Sequence, residues 1–265
     1  MTKNRIDAKL EQCKAEGRKA LITFITSGDG GYACTEAAVL EMVKNGADLI
    51  ELGVPFSDPI AEGPVIQRAS KRALQGGTTL AGIFDMVRCL RQKTDVPLLL
   101  MMYLNTIFCF GTDRFFSLCK ECGIDGVIVP DIPFEEKDEI QGSADKYNVH
   151  NISLVTPASE DRIQMIASEA TGFLYCVSSN GVTGVRSEFE TNFAPFFEKI
   201  HKYAKVPCAV GFGISGPEAA KQMGQYCDGV IVGSAIVRLV EQYGGTDAPA
   251  QIGAFVKSLR EGLDA

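Results

Sequence analysis

The feature that most constrains this chain is a regular alternation of short apolar runs with longer amphipathic segments. The apolar runs, which predict buried β-strands, fall at residues 19–25, 48–52, 97–102, 126–129, 149–154, 173–177, 207–211 and 228–232. Helical periodicity fills the intervals, at residues 3–17, 36–45, 64–75, 80–93, 113–122, 135–147, 161–169, 193–203, 217–224 and in two C-terminal helices from about residue 235. Strands that alternate with helices predict a parallel sheet.

Eight such units in ~250 residues match the arithmetic of a (β/α)8 TIM barrel. Residues 46–53, 123–130 and 226–233 form a weak repeat of a helix stop, an aspartate and a buried strand, which supports the count. No linker or low-complexity tract interrupts the pattern, so we predict a single α/β barrel domain over residues 1–265 with an extra N-terminal helix. An open doubly wound sheet is the alternative.

Charge and hydropathy exclude several classes of partner. The chain of 265 residues has 26 basic and 33 acidic residues, and its net charge of −7 gives no counterion-release drive toward nucleic acid or an anionic membrane. The most apolar stretch, residues 97–104, is far shorter than the ~20 residues that cross a membrane, and the N-terminus lacks a signal-peptide apolar segment. We therefore expect a soluble, cytoplasmic protein.

Cysteine and histidine chemistry fits this sequence poorly. The nine cysteines are an odd, scattered set, and the Cys119/Cys122 pair lacks a second pair or a nearby histidine, so a buried helix face explains it best. His150 starts its strand and His201 lies in a helix, and no lysine ends a strand, which disfavours a metal site, a histidine base or a Schiff base. Carboxylates are therefore the remaining candidates for catalytic groups.

Glu51 is the sharpest candidate because it interrupts an apolar strand just before a loop. It alternates in phase with Leu49, so in a barrel it can point inward, where desolvation would raise its pKa toward that of a working acid or base. A structural glutamate that accepts hydrogen bonds from loop amides or a hydroxyl is the other interpretation.

The loop at residues 53–64 is long for a strand-to-helix connection and carries further acids. Glu62 lies near the start of the next helix, where simple capping is an alternative to function. Asp58 before Pro59 is either a turn former or a contact residue. Other polar residues that end strands, which we interpret mainly as hydrogen-bond partners, are Tyr103, Asn105, Asp131, Thr156 and Tyr175.

Glycine-rich loops after the last strands predict a phosphate site. Residues 211–216 match G-x-G-x-x-G, but they follow the seventh strand and no acid lies ~20 residues on, which argues against a dinucleotide fold. Gly233 and Ser234 open another helix, and barrels often bind phosphate at this pair of loops. Residues 178–186 form a third glycine loop that we interpret as a lid, a disordered connection being the alternative. These features together predict a barrel enzyme that acts on a small phosphomonoester and uses carboxylates for acid/base chemistry. The expected reaction is then either a proton-transfer isomerisation or a metal-free carbon–carbon cleavage.

Residues 51–67, ELGVPFSDPIAEGPVIQ, resemble the signature of the tryptophan synthase alpha subunit family. Shorter motifs match in order along almost the whole chain, at residues 28–29, 103–105, 129–133, 181–184, 211–215 and 233–237. The resemblance implies retro-aldol cleavage of indole-3-glycerol phosphate to indole and glyceraldehyde 3-phosphate. It also implies an alpha2beta2 assembly in which indole passes to a beta subunit that carries pyridoxal phosphate, with no cofactor in this chain.

The resemblance also assigns roles to residues. Glu51 takes the position of the acid/base that protonates the indole ring carbon and helps to deprotonate the glycerol hydroxyl, and Glu62 that of the acid on the indole N–H. By the same resemblance, phosphate binding is implied for Gly184, Phe212, Gly213, Gly233 and Ser234, a closing loop for Thr183, an indole pocket for Phe24, Tyr103 and Tyr175, and the beta-subunit contact for Asp58 and Pro59.

The chain departs from the family pattern at a few positions. Glu62 stands where the family often has Asp, Gly30 where many members have Pro, and Ser179 where some have Arg. The extra methylene of Glu62 moves its carboxylate by ~1 Å, which is enough to change a rate. A stand-alone indole-3-glycerol-phosphate lyase and a non-catalytic partner subunit that keeps the fold are the alternatives at this point, and the Asp58–Pro59 loop disfavours the former.

Overall fold

A parallel β-sheet forms the centre of the computed structural model, which describes residues 3–177, 193–211 and 213–265. These described residues contain nine strands in the spatial order β5-β4-β3-β2-β1-β9-β8-β7-β6, every pair parallel. The strands are β1 (Ala20–Thr26), β2 (Leu49–Gly53), β3 (Leu98–Met101), β4 (Gly126–Ile128), β5 (His150–Asn151), β6 (Leu154–Val155), β7 (Leu174–Val177), β8 (Cys208–Gly211) and β9 (Gly229–Val232).

The sheet closes on itself through residues 150–155. β5 pairs with β4 and β6 pairs with β7, although only two residues separate β5 from β6. The Ile152 N–H donates to the Val127 carbonyl and the Tyr175 N–H donates to the Ser153 carbonyl, each at 2.9 Å. Both edges of the sheet therefore meet on one segment, which confirms the barrel and excludes the open sheet. The one strand predicted at residues 149–154 is divided into two short strands, because each half pairs on one side only, β5 with β4 and β6 with β7.

Eleven α-helices among the described residues surround the sheet. They are α1 (Arg5–Ala15), α2 (Tyr32–Lys44), α3 (Pro64–Gln75), α4 (Leu80–Arg91), α5 (Leu104–Phe110), α6 (Thr112–Cys122), α7 (Asp138–Tyr147), α8 (Ile163–Glu169), α9 (Ala194–Tyr203), α10 (Pro217–Gly224) and α11 (Ser234–Asp264). Two short 3₁₀ helices cover Phe134–Glu136 and Pro157–Arg162. Helix α5 was not predicted from the sequence, because its seven residues are too few to show a helical period.

Local sequence explains where several helices begin and end. The Asn4 side chain accepts a hydrogen bond from the Ile6 N–H at the start of α1, and Pro64 occupies the first turn of α3, where its missing N–H costs nothing. Gly244, with φ 71°, interrupts α11, so the two predicted C-terminal helices meet at this kink.

The core has an inner and an outer layer. Inward side chains of the strands, such as Ile22, Leu49 and Tyr175, form one buried cluster inside the barrel. Ile6 and Leu10 of α1 belong to the same cluster, so the extra N-terminal helix covers the end of the barrel where the strands begin. The larger outer cluster packs the other strand faces against the surrounding helices. The opposite end, where the strands finish, remains available for a site.

Candidate active site

Glu51 lies inside the barrel near the carboxyl end of β2. Strand alternation places it on the inward face with Leu49, as predicted, and it pairs with Phe24 of β1. Its side chain is 1% exposed, and neither carboxylate oxygen has a hydrogen-bond partner among the described residues. Burial raises the pKa of this carboxyl to about 8, because desolvation penalises the charged form. The loop amides or hydroxyl that a purely structural glutamate would need are not seen among those residues.

Glu51 opens onto a cavity at the mouth of the barrel. Seven of the residues singled out in the sequence line this cavity: Phe24, Glu51, Glu62, Tyr175, Gly213, Gly233 and Ser234. They come from β1, β2, β7 and the loops after β2, β8 and β9, so separate parts of the chain meet only because the barrel closes. The cavity therefore joins a buried carboxyl, aromatic rings and a glycine-lined edge.

Two glycines make room for the aromatic wall. A Cβ added at Gly53 would overlap the Phe24 ring, and one added at Gly211 would lie 2.5 Å from the Tyr175 hydroxyl oxygen. The absence of side chains at these positions leaves room for both rings. Burial, followed by the nearby charge of Glu51, raises the pKa of Tyr175 well above its ordinary value. Tyr175 is therefore a neutral phenol beside the buried carboxyl.

Glu62 is held in place by Tyr103. The Tyr103 hydroxyl donates to Oε2 of Glu62 and accepts hydrogen bonds from the Ile60 and Ala61 N–H groups, both at 2.9 Å. Tyr103 is 3% exposed, and its ring packs against Phe56 with 4.9 Å between centroids. Tyr103 is not among the described residues that line the cavity, whereas Glu62 is. Tyr103 is therefore linked to the cavity through its hydrogen bond to Glu62, and its place in the indole pocket stays a prediction.

Glycines and a helix start form the third side of the cavity. Gly213 has φ 79°, a left-handed conformation that favours glycine. Gly233 immediately precedes α11, and Ser234 is the first residue of that helix. The first N–H groups of a helix have no partner within it and carry the positive end of its dipole, so an anion is favoured there. Thr183, Gly184 and Phe212 lie outside the described residues, as do residues 178–186 of the predicted lid.

The residues predicted to contact a partner subunit stay outside the cavity. Asp58 is exposed and Pro59 is half-buried in the loop between β2 and α3. The Ser57 hydroxyl donates to the Asp58 carboxylate at 2.5 Å, and the neighbouring Ile60 is 74% exposed. This loop therefore presents a polar turn and a bare apolar side chain on the outer face of the site.

Several secondary candidates have structural roles. Asp131 accepts a hydrogen bond from the Leu104 N–H at 2.9 Å and so caps α5. His150 contacts Asp7 of α1 at 3.0 Å, at the end of the barrel away from the cavity, and His201 donates to the Tyr226 carbonyl. The Cys119/Cys122 pair is buried in the outer core.

The described part of the chain offers neither a cluster of metal ligands nor a helix that could cross a membrane. Its acidic, histidine and cysteine side chains form no cluster of three that could hold a metal ion. Among its helices, none has the length and apolar character that a membrane crossing requires.

Part of the cavity wall was not predicted from the sequence. Thr26 lines the cavity two residues after Phe24 on the inward face of β1, and its hydroxyl has no hydrogen-bond partner among the described residues. A hydroxyl residue in phase with Phe24 at a strand end was a signal that could have identified it. Ser70 of α3 also lines the cavity, and no local pattern distinguishes it from other buried helix positions.

Fold and site together define an α/β-barrel enzyme with two carboxyl side chains in the cavity at the mouth of the barrel. A family model described as tryptophan synthase alpha chain matches residues 10–261. Curated tryptophan synthase alpha chains from Thermoanaerobacter sp. (strain X514) and Clostridium kluyveri are 46% and 44% identical over 261 and 262 residues, covering 98% of this chain and 100% of each relative. This chain belongs to the tryptophan synthase alpha chain family.

Solved structures agree with this assignment. Tryptophan synthase subunit alpha from Legionella pneumophila superimposes with a TM-score of 0.88 at 37% identity, over 99% of both chains. A chain of Mycobacterium tuberculosis tryptophan synthase gives a TM-score of 0.89 at 31% identity, also over 99% of both chains. The likeness extends over the complete barrel, including the elements that carry the cavity.

Proposed function

We propose that Glu51 is the proton donor for the cleavage of indole-3-glycerol phosphate to indole and glyceraldehyde 3-phosphate, the alpha reaction of tryptophan synthase. The observation that carries this assignment is a buried carboxyl with a pKa of about 8 that opens onto the cavity. A group with this pKa is protonated at neutral pH, which a general acid requires.

During the reaction the substrate gains a proton at one atom and loses a proton at another. Glu51 gives its proton to C3 of the indole ring, and the carboxylate that results takes the proton of the glycerol hydroxyl next to the scissile bond. The carbon–carbon bond then breaks, its electron pair returns to the ring, and the hydroxyl carbon becomes the aldehyde. Glu51 finishes protonated, so one carboxyl serves both transfers.

The other cavity residues bind and orient the substrate. Glu62 accepts the indole N–H, and the rings of Phe24 and Tyr175 contact the indole faces. Gly213 in the loop after β8, and Gly233 and Ser234 at the start of α11, bind the phosphate through backbone N–H groups. The resemblance adds Gly184 and Phe212 to the phosphate site and Thr183 to a closing loop, which stay predictions because they lie outside the described residues.

The partner of this chain is a tryptophan synthase beta subunit, in an alpha2beta2 assembly. The loop that carries Asp58, Pro59 and the exposed Ile60 is the contact surface that we assign to it. Pyridoxal phosphate belongs to that beta subunit, and the alpha reaction asks for no cofactor in this chain. We place the protein in the cytoplasm, in keeping with a biosynthetic role.

The test is the release of indole from indole-3-glycerol phosphate by wild type, Glu51→Gln and Glu136→Gln, each with and without a beta subunit. We expect Glu51→Gln to lower kcat by about 10²–10⁴-fold, the usual contribution of a general acid, with KM little changed. Glu136 is exposed and remote from the cavity, so Glu136→Gln should match wild type.

The pH profile provides an independent check of the same assignment. In wild type, kcat should fall as pH rises through about 8, because Glu51 loses the proton that it must donate. The residual activity of Glu51→Gln should not show this limb. Full turnover by Glu51→Gln would overturn the assignment.

A further inference from the structure

The hydroxyl of Tyr103 makes an unusually complete set of hydrogen bonds. A tyrosine hydroxyl has one proton to donate and two lone pairs that accept. Both backbone N–H groups at Ile60 and Ala61 donate to its oxygen at 2.9 Å. The single proton goes to Oε2 of Glu62. With both accepting positions filled by backbone donors, the proton has one remaining direction, which is toward the carboxylate.

The ring that carries this hydroxyl is itself held firmly. Tyr103 lies two residues after the end of β3 and is the N-cap residue of α5, so its backbone is held between the end of one element and the start of the next. The Phe56 ring packs against it, and Tyr103 is 3% exposed. Burial and the bond to Glu62 raise the pKa of Tyr103 to about 12, so the phenol stays protonated across the working range.

We propose that Tyr103 is a positioning residue that acts on the reaction through Glu62 and does not contact the substrate. The inference rests on the proposed function, in which Glu62 accepts the indole N–H. Tyr103 engages Oε2, which aims the carboxylate and leaves Oε1 as the oxygen to receive the substrate. A glutamate at this position has one more rotatable bond than an aspartate, so it needs such a constraint to present one oxygen reproducibly.

A double-mutant cycle tests this coupling. Indole release is measured for wild type, Tyr103→Phe, Glu62→Gln and the double variant, with the beta subunit present. Removing the hydroxyl alone should lower kcat/KM by about tenfold, mostly through kcat, because a hydrogen bond to a charged group is lost and the carboxylate can swing. In the Glu62→Gln background the same change should cost less than about threefold, because the group that Tyr103 directs has already lost its charge.

The Tyr103 hydroxyl also anchors the backbone at residues 60–61. Its removal can therefore lower activity in two ways, by loosening this loop or by misdirecting the Glu62 carboxylate, and the experiment must distinguish them. A loosened loop would cost activity in both backgrounds, whereas the proposed role costs activity only when Glu62 is present. Tyr32→Phe is a matched control, because the Tyr32 hydroxyl also bonds backbone groups, those of Thr79, away from the cavity. It should leave kcat and KM at wild-type values.

The outcomes are distinct. Equal losses from Tyr103→Phe in both backgrounds, or a loss carried mainly by KM, would overturn the positioning role and restore a structural or substrate-contact role. Glu51 should keep its basic pH limb near 8 in Tyr103→Phe, because Tyr103 acts on the other acid. If wild type itself releases no indole, the proposed function fails, which is a separate result from an additive cycle in an active enzyme.

Discussion

Glu51 is a residue whose chemistry comes entirely from its surroundings. A solvated glutamate would be ionised at pH 7, but at 1% exposure this one carries a pKa of about 8. No cation or hydrogen-bond donor among the described residues offsets the desolvation. The protein therefore keeps a neutral acid ready in the cavity, and this arrangement lowers its own stability.

The stability cost of Glu51 depends on pH in a defined direction. Between about pH 4.5, the ordinary value for this carboxyl, and about pH 8, the unfolded chain has released the proton that the native protein retains. The unfolded state then binds fewer protons, so wild-type stability falls as pH rises through this window. Glu51→Gln should raise the free energy of unfolding by about 3 kcal/mol at pH 7, and by nothing below pH 4.5.

Urea unfolding of both proteins at several pH values measures this difference. The exposed substitution Glu136→Gln serves as the control and should show no such pH-dependent gain. A stabilisation by Glu51→Gln that is the same at pH 4 and pH 8 would mean that Glu51 is not neutral in the native state.

At the scale of elements, the repeated aspartates at Asp48, Asp125 and Asp228 have one shared geometry. Each aspartate lies just before its strand and makes two hydrogen bonds to one residue at the start of a neighbouring strand. Its backbone N–H donates to the carbonyl of that residue, and its Oδ2 accepts from the N–H of the same residue. The N–H donates at 2.7–2.9 Å and Oδ2 accepts at 2.9 Å. The partners are Leu21, Leu98 and Cys208 respectively. The repeat seen in the sequence therefore sets the register of three strand pairs.

Two of these three aspartates also form ion pairs with arginines. Replacing a paired and an unpaired aspartate should therefore lower the free energy of unfolding by different amounts. Asp125 accepts from Arg91 at 2.8 Å and from Arg5 at 2.9 Å, whereas Asp228 makes no ion pair with the residues described here. Asp125→Ala should lower the free energy of unfolding by about 3–5 kcal/mol, because it leaves the largely buried Arg91 without its anion. Asp228→Ala should cost about 1–3 kcal/mol, the value of an unmade bond to a buried N–H.

Chemical denaturation of the two variants, under identical conditions, checks the order. Since both changes are at the end of the barrel away from the cavity, the KM of whichever variant remains folded should stay at the wild-type value. Equal losses of stability would mean that the arginine contacts of Asp125 contribute nothing.

At the scale of the whole molecule, the loop between β2 and α3 has one side on the cavity and the other on the outer surface, where we propose that the beta subunit binds. Residues 53–63 carry Glu62 on the cavity side and Asp58 on the outside. Binding of a beta subunit to the outer face can therefore change the orientation of Glu62 without touching the substrate. This is a coupling between two sites, for which ordinary magnitudes are about 5–150-fold.

We accordingly expect the beta subunit to raise the rate of indole release by an amount within that range. Asp58→Ala should reduce this stimulation by more than half, because it removes the carboxylate that Ser57 holds at the tip of the loop. The measurement is the ratio of rates with and without the beta subunit, and sedimentation should show an alpha2beta2 complex for wild type. Glu136→Ala, an exposed change elsewhere, should keep the full ratio.

Periodicity predicted most elements to within a few residues because it reports only on near neighbours. It placed α3 at its observed bounds, and it placed Glu51 on the inward face from the phase of one strand. It failed at α5, which is too short to show a period, and at residues 150–155, where two partners share one run of chain.

What the sequence determined by itself is thus the order of strands and helices, the inward direction of Glu51 and the glycines at the starts of two late loops. Only the tertiary structure decided that residues 150–155 close the barrel, that Glu51 has no polar neighbour among the described residues, and that Tyr103 directs Glu62 from 41 positions away. The physical reason is the sequence distance over which each property is determined. Strand phase and helix starts depend on a few successive residues, whereas desolvation and a hydrogen bond between distant segments depend on every element packed around them.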